Sequence, residues 1–513
     1  MSITSRIGII DIGSNSIRLV IVAHNEQGAH RVVGEWKESA RLSERIGSDG
    51  ILQEKDVADI IPILSRFRTI CSASGVTRIR AAATAAIRNA ANSATVVQML
   101  RLRTGLSIEV LSGEDEGRLG FQGVINTMAV QDGFIVDIGG GSTEVTLFQN
   151  RRVRHSVSFP FGAVNTCRMH TKDGDVTSEQ IQTIRAMVME AAAAHPWMTA
   201  NPGLPLIGLG GTVRTLGKLD QKRRKYSFNQ AHNYHLYPEN VQELVDWLPS
   251  LTYEKRKKIE GLSKDRADII VPGLLILHTL FGLLQTKKYI VSGAGLRDGL
   301  FYEMIRPERP IVDDVLEHSV NNQLALHSFI PLQHAKQVER IALKLFDDLF
   351  PQHGGDDTAR RLLSVAARLY RLGSAVNYYQ YTRHTFYMIA YTRIDGLSHR
   401  ETLLCALIAS YKTKSRTRQM LLQFRDIVSE SDEGMIVKLG TLLQVAVALD
   451  KSETQLVEHV SAAADTKAVR LRLHCKDWPR LELMEAAAAE KEFQKAWNAK
   501  LEIDVISEAS STV

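Results

Sequence analysis

Cysteine is scarce in this chain. Its 513 residues include four, Cys71, Cys167, Cys405 and Cys475. They lie far apart with no CxxC pair, which speaks against a disulfide framework and against a thiolate zinc site. Long apolar runs are also lacking. The opening MSITSRIGIIDIG has neither the apolar core nor the cleavage site of a secretory signal. The most apolar stretch, 269–284, carries Pro272 and His278 and is too short to span a bilayer comfortably. It reads as a core helix, and stable membrane insertion is not expected. No low-complexity segment or long linker stands out. What these absences leave is a soluble, cytoplasmic protein of ordinary globular composition, 44% apolar and 23% charged.

The formal net charge is +6, a mild excess that favours polyanionic partners. Basic residues gather in KLDQKRRK (218–225), EKRKK (254–258) and YKTKSRTR (411–418). They read either as solvated surface or as a rail for a long polyanion, bound through counterion release. Few aromatics interleave with them, so a base-stacking platform is not indicated and nucleic acid is not an expected partner.

The first half alternates β-type runs with helical patterns, which points to an α/β architecture. IGIIDIG (7–13), RLVIVAHN (18–25), TRIRAAAT (77–84) and LSIEVLS (106–112) are predicted strands, and 56–75 is a predicted helix. A second run opens with GFIVDIGGGSTEVTLF (133–148) and echoes the first, IIDIG at 9–13 against IVDIG at 135–139. Such an internal repeat suggests two related lobes facing each other. The second continues through PLIGLGGTVRTLGKL (205–219) and KYIVSGAGLRDGLFYEM (288–304). From about 311 to 455 the pattern is almost purely helical. From about 465 to 506 it reads as strand (VRLRLHC), strand and helix (RLELMEAAAAEKEFQKAWNAKL), and a last strand (EIDVIS).

Each Asp-Ile-Gly turn ends a strand with a carboxylate, Asp11 or Asp137, able to hold a hydrated magnesium ion. The small residues that follow, Gly13, Ser14 and Asn15 in one and Gly139, Gly140, Gly141 and Ser142 in the other, let backbone N–H groups approach a phosphate. Two such turns in facing lobes make a phosphate clamp; taken singly, each is also an ordinary tight turn. Gly210, Gly211 and Thr212 in GLGGTVRT (208–215) suggest a third, Gly-rich loop. Glu114, Asp115 and Glu116 cluster where a strand meets a helix. Acids there serve the helix dipole, or one of them orients an attacking water.

IGIIDIGSNSIRLVI, AATAAIRNA, SGEDEGRLGF, VDIGGGSTE, SFPFGAVN, GLGGTVRT, RADIIVPG and SGAGLRDG occur in this order over about residues 7–304. Together they resemble the exopolyphosphatase/guanosine pentaphosphate phosphohydrolase family. The resemblance implies two ribonuclease-H-like lobes of the actin–hexokinase–Hsp70 superfamily (1–125 and 126–306), an all-α HD-like domain (307–455) and a small α+β C-terminal domain (456–513). It implies Glu116 as general base and Glu144 as second essential acid. Asp11, Asp137 and Glu144 would hold Mg²⁺. Arg88 would approach the phosphate, alongside the backbone of both turns. The expected activity is Mg²⁺-assisted hydrolysis of the terminal phosphate of inorganic polyphosphate; guanosine pentaphosphate is the alternative substrate. A non-catalytic polyphosphate or nucleotide sensor and a sugar kinase are the rival readings, and the long family members suggest a homodimer. In the helical region the sequence departs from an HD site: AARLYRLG (366–373) puts Tyr370 and Arg371 where a metal-ligand pair would stand, with His384 and Tyr411 near the later positions. A structural or substrate-binding domain without metal is expected there.

Overall fold

The computed structural model describes residues 5–47, 49–172, 174–350 and 357–507. Residues 1–4 and 508–513, the outer ends of the first and last expected domains, lie outside the described residues. The chain divides into two compact units, Ser2–Val315 and Leu316–Val513.

The first unit contains two sheets. Its opening half runs β1 (Ser5–Ile12), β2 (Ser16–His24), β3 (His30–Ser39), α1 (Glu54–Ala73), β4 (Arg78–Ala83), α2 (Ala85–Arg88), β5 (Ile108–Val110) and α3 (Gly113–Ile125). The strand order is β3-β2-β1-β4-β5. β1–β3 are antiparallel, and β4 and β5 continue parallel to β1. The next half runs β6 (Gly133–Ile138), β7 (Thr143–Gln149), β8 (Arg152–Phe159), α4 (Ala163–His170), β9 (Leu206–Leu209), α5 (Gly210–Arg223), β10 (Tyr234–Leu236), α6 (Ile270–Leu283), β11 (Tyr289–Val291) and α7 (Leu296–Ile305). Its sheet has the order β10-β11-β9-β6-β7-β8. With β10 set aside as an antiparallel edge strand, β8-β7-β6-β9-β11 repeats the first sheet in order and direction. The ribonuclease-H-like arrangement therefore occurs twice.

Sequence explains which strands are central. Ile7, Ile9, Ile10 and Ile12 of β1 are fully buried, the near-continuous apolar run of a strand covered on both faces. α6 carries the most apolar stretch and lies in the core of the second lobe. Its Pro272 falls in the first turn, where a missing N–H costs nothing. α3 and α7 cross at backbone contact. A Cβ on Gly123 would lie 2.2 Å from the Gly295 carbonyl oxygen, and one on Gly299 would lie 2.1 Å from that of Leu119.

The second unit is helical up to the last sixty residues. α8 (Leu332–Leu349), α9 (Asp357–Leu369), α10 (His399–Ala409) and α11 (Asp432–Ala448) pack together. Beside them lies a sheet β12-β13-β14 of β12 (Val457–Ala464), β13 (Ala468–Cys475) and β14 (Lys500–Ser507), with α12 (Arg480–Trp497) against α11. Two expectations are corrected here. RLELM belongs to α12 and is no strand, and the sheet's first strand is β12. At the unit's centre Tyr370 occupies a closed polar network: His334 Nε2 lies 2.6 Å from its hydroxyl, and His334 Nδ1 lies 2.7 Å from Asp450 Oδ2, all three residues buried. Arg371 pairs with Glu453. Tyr411 is buried with its ring on Gly440, and His384 is half-buried.

The basic tracts considered from sequence are in part buried or paired locally. Arg256 of EKRKK is fully buried, donating to the Ala267 and Leu251 carbonyls and to Asp175. Lys222 pairs with Glu260, Arg224 with Asp220 and Glu243, Lys257 with Glu254, and Lys414 and Arg418 with Glu433. Much of their charge is neutralised locally.

Candidate active site

The two Asp-Ile-Gly turns are the same structure built twice. Gly13 N donates to Ser16 O at 3.2 Å, and Gly139 N to Ser142 O at 3.0 Å. They meet across the lobes. A Cβ on Gly140 would lie 3.0 Å from Ser14 Cβ and 3.2 Å from Asn15 N; one on Gly141 would lie 2.9 Å from the hydroxyls of Ser14 and Ser43. Only glycine permits this approach.

The carbonyl oxygens of both turns are held from behind. Ser14 O accepts from Ser43 N, and Asn15 O from Ala40 N and Arg41 N. Gly139 O accepts from Ala163 N, Gly140 O from Val164 N and Asn165 N, and Gly141 O from Asn165 Nδ2. In a trans peptide the C=O and the following N–H point opposite ways. The amides of Asn15, Ser16, Gly140 and Ser142 are thereby turned to the cleft side, a concave set of donors of the kind that binds anions.

The cleft between the turns is lined by Asp11, Asp137, Glu116 and Glu144, by both turns, and by Gly210, Gly211 and Thr212. The expected loop at 208–215 is instead a helix N-terminus. Strand β9 ends at Leu209, Gly210 turns the chain at φ +83°, and α5 begins there. A 14-residue helix aimed at the cleft favours an anion.

The three clustered acids separate by role. Ser112 caps α3, accepting from Asp115 N at 3.0 Å, and Asp115 pairs with Arg118. Glu114 is exposed. Glu116 alone of the three reaches the cleft. The cluster therefore divides, with Asp115 at the helix N-terminus and Glu116 at the cleft. Arg88 stands apart from expectation: its guanidinium donates to Glu116 and, at 2.9 Å, to the Leu111 carbonyl, and it is not part of the cleft lining. Gly141, which packs on Ser14, is also off the lining.

The carboxylates are held at high energy. Burial pushes Glu116 well above the usual range and repulsion from Glu144 adds to it, against Arg88. Burial lifts Asp137 to about 7, again with help from Glu144. Asp11 is raised by burial despite Arg297, Arg18 and Arg214. Glu144 is raised by burial although Ser142 and Ser158 stabilise its charge, Ser158 Oγ donating at 2.7 Å.

A divalent cation would relieve this repulsion, and the donors are hard oxygens suited to Mg²⁺. The buried Asn15 Oδ1 is a further oxygen with no hydrogen-bond partner. Among the described residues, however, no three acidic or imidazole groups converge as a ready ligand set. Asp11, Asp137 and Glu144 thus fit Mg²⁺ in the manner natural to that ion, one or two carboxylates with waters and substrate phosphates.

Sequence reasoning missed four arginines. Arg18, Arg214, Arg266 and Arg297 all line the cleft. Burial and the neighbouring Arg297 and Arg18 lower the Arg214 guanidinium to about 10. Arg266 lies against Gly211, where a Cβ would collide with its guanidinium. The signal was present: four of the recognised motifs carry one of these arginines each.

The model of the Ppx/GppA phosphatase family matches residues 20–308, and that of its domain III matches residues 315–493. Among solved structures, the Aquifex aeolicus Ppx/GppA family member is similar at 27% identity and TM-score 0.52, over 60% of this chain and 99% of that one. A structure described as an exopolyphosphatase from Cytophaga hutchinsonii is similar in fold at 24% identity and TM-score 0.55, over 60% and 100%.

Proposed function

The chain belongs to the Ppx/GppA phosphatase family, and from that premise we propose that it is an exopolyphosphatase, releasing orthophosphate from the end of inorganic polyphosphate with Mg²⁺. The observation that carries this reading is the cleft lining: turned backbone amides, four arginines and five carboxylates, with no aromatic side chain among the described residues that line it. Such a wall recognises phosphate and offers a purine base no aromatic platform.

The terminal phosphate would lie between the two turns, its oxygens on the amides of Asn15, Gly140 and Ser142. Glu116 faces that position with a carboxyl raised towards the range useful to a general base at neutral pH. It orients a water and accepts its proton as the new P–O bond forms and the bridging P–O bond breaks. Arg88 fixes the Glu116 carboxylate. Glu144, fixed by Ser158, and Asp137 stand beside it on paired positions of β7 and β6. Mg²⁺, held by one or two of Asp11, Asp137 and Glu144 and by the substrate, would neutralise charge on the phosphoryl oxygens. The next phosphates of the chain extend towards Arg18 and Arg297. Action in the cytoplasm, as a homodimer, completes the proposal. No described helix is long and apolar enough to cross a membrane.

The test is phosphate release by the purified protein with Mg²⁺, comparing long-chain polyphosphate with guanosine pentaphosphate. Polyphosphate is expected to be the better substrate, with Glu116→Gln lowering kcat by about 10²–10⁴-fold and leaving binding nearly intact. Preference for guanosine pentaphosphate would keep the mechanism and overturn the substrate. An active Glu116→Gln would overturn the assignment of the base.

A further inference from the structure

Glu35 lies on β3, outside every motif that led to the cleft. Its Oε1 accepts from Arg297 Nη1 at 2.8 Å and from Arg18 Nη1 at 3.4 Å. Among the described residues it is the only carboxylate ion-paired with any of the four cleft arginines. Arg18 and Arg297 are 18% and 16% exposed, whereas Glu35 is 49% exposed. The acid therefore sits on the solvent side of the two arginines and off the cleft lining.

The electrostatics match this geometry. Burial and the nearby Arg297 lower the Arg18 guanidinium. Burial also opposes the Arg297 charge, yet Glu35 and Asp11 hold it above its usual value. The Glu35 carboxyl is in turn held below the usual range by Arg297 and Arg18, against burial. A planar oxyanion bridging two guanidinium groups makes the contacts a phosphate would make there, with one charge in place of more.

We propose that Glu35 is an internal counter-anion, occupying the arginine positions of an outer substrate phosphate and setting how strong a polyanion must be to displace it. This rests on reading the cleft as a phosphate-chain site. A long chain, anchored by its end on the turns, presents its next phosphates at high effective concentration and displaces the carboxylate. Free orthophosphate and other short anions lack that anchor. Glu35 then acts as a specificity residue, disfavouring retention of the product and of small anions.

Among the described residues, Glu35–Arg297 is also one of three ion pairs joining β3 and the segment after it to the second lobe, beside Lys37–Asp265 at 2.6 Å and Arg41–Asp268 at 2.7 Å. A merely structural strut is thus the competing account, and the experiment separates the two. Binding of inorganic tripolyphosphate is measured by calorimetry over a range of salt concentrations, in a Glu116→Gln background that slows turnover. Glu35→Gln is expected to tighten binding about tenfold, as release of a competing charge from two cations implies. It is also expected to steepen the dependence of log K on log salt by about one, as one more phosphate contact would. Glu35→Asp should fall between. Lys37→Gln loosens the neighbouring lobe contact without freeing Arg18 or Arg297 and should not tighten binding.

With Glu116 restored, Glu35→Gln should raise kcat/KM on polyphosphate through a lower KM. Unchanged or weaker binding in Glu35→Gln, or equal tightening in Lys37→Gln, overturns the proposal. If the parent releases no phosphate from polyphosphate while Glu35→Gln still tightens binding, the activity reading falls and the counter-anion stands.

Discussion

Asp137 shows what the site demands of single residues. An isolated carboxyl titrates near 3.9, and burial in the folded chain lifts this one to about 7. Between those values the folded state holds a proton that the unfolded state has lost, so stability falls as pH rises through that window. Above it the full penalty is present. Asp137→Asn removes the penalty. In chelator, the variant should unfold a few degrees above the parent at pH 8, and the gap should close towards pH 4; thermal unfolding across that range checks the sign. Catalysis should be lost in the same variant. At this scale much of the site is legible from sequence, because Asp11, Asp137, Glu116 and Glu144 stand in the recognised motifs and do line one cleft. The four arginines were less legible. Arginine is common on surfaces, and what distinguishes these is convergence from β2, α5, α7 and the segment before α6, which only tertiary structure supplies. Arg88 fits its motif, yet its partner here is Glu116.

Helices α3 and α7 cross with no room for a methyl group, and each delivers a cleft residue, Glu116 and Arg297. Gly299→Ala would set a Cβ against the Leu119 carbonyl oxygen. Because backbone must shift, a cost of about 1–3 kcal/mol is expected, readable in urea unfolding. Activity should fall further than that loss alone explains, since both helices carry cleft groups and small displacements weigh heavily on reactive geometry. Elements with an apolar period are legible here: β1, β2, β4, β6 and α1 lie close to their expected bounds. Those without one were passed over. β3 reads HRVVGEWKES, an edge strand with hardly a buried side chain, and it is the strand that bears Glu35. β12, VEHVSAAA, has too many alanines to signal a strand by propensity. At 208–215 the glycines suggest a loop, but only Gly210 needs glycine's freedom, and the helix dipole takes over from the next residue.

On the scale of the molecule, every cleft residue belongs to the unit Ser2–Val315. The Aquifex aeolicus relative is matched over 99% of its length by 60% of this chain, so a protein of about that extent folds by itself. Residues 1–315 expressed alone should therefore hydrolyse tripolyphosphate at a rate within about tenfold of the whole chain. Far lower activity with a folded circular-dichroism spectrum would show that the second unit contributes to the chemistry. The change of texture near residue 310 was legible, because period-2 and period-3.6 patterns part there. The closed network of His334, Tyr370 and Asp450 was only half legible: sequence marks Tyr370 as a poor metal ligand, but not the partners that enclose it.

Matching strands in the two lobes differ at one decisive pair. Asp11 on β1 stands opposite Arg18 on β2, and Asp137 on β6 stands opposite Glu144 on β7. One strand–turn–strand unit, used twice, would by itself build a crevice with no preferred direction. Exchanging a cation for an anion at the same register makes one wall a source of field and the other a sink. A linear phosphate polymer has two identical ends and carries no arrow of its own. Under the proposed function the arrow would belong to the protein, which would present an end to one wall and let the remainder leave along the other.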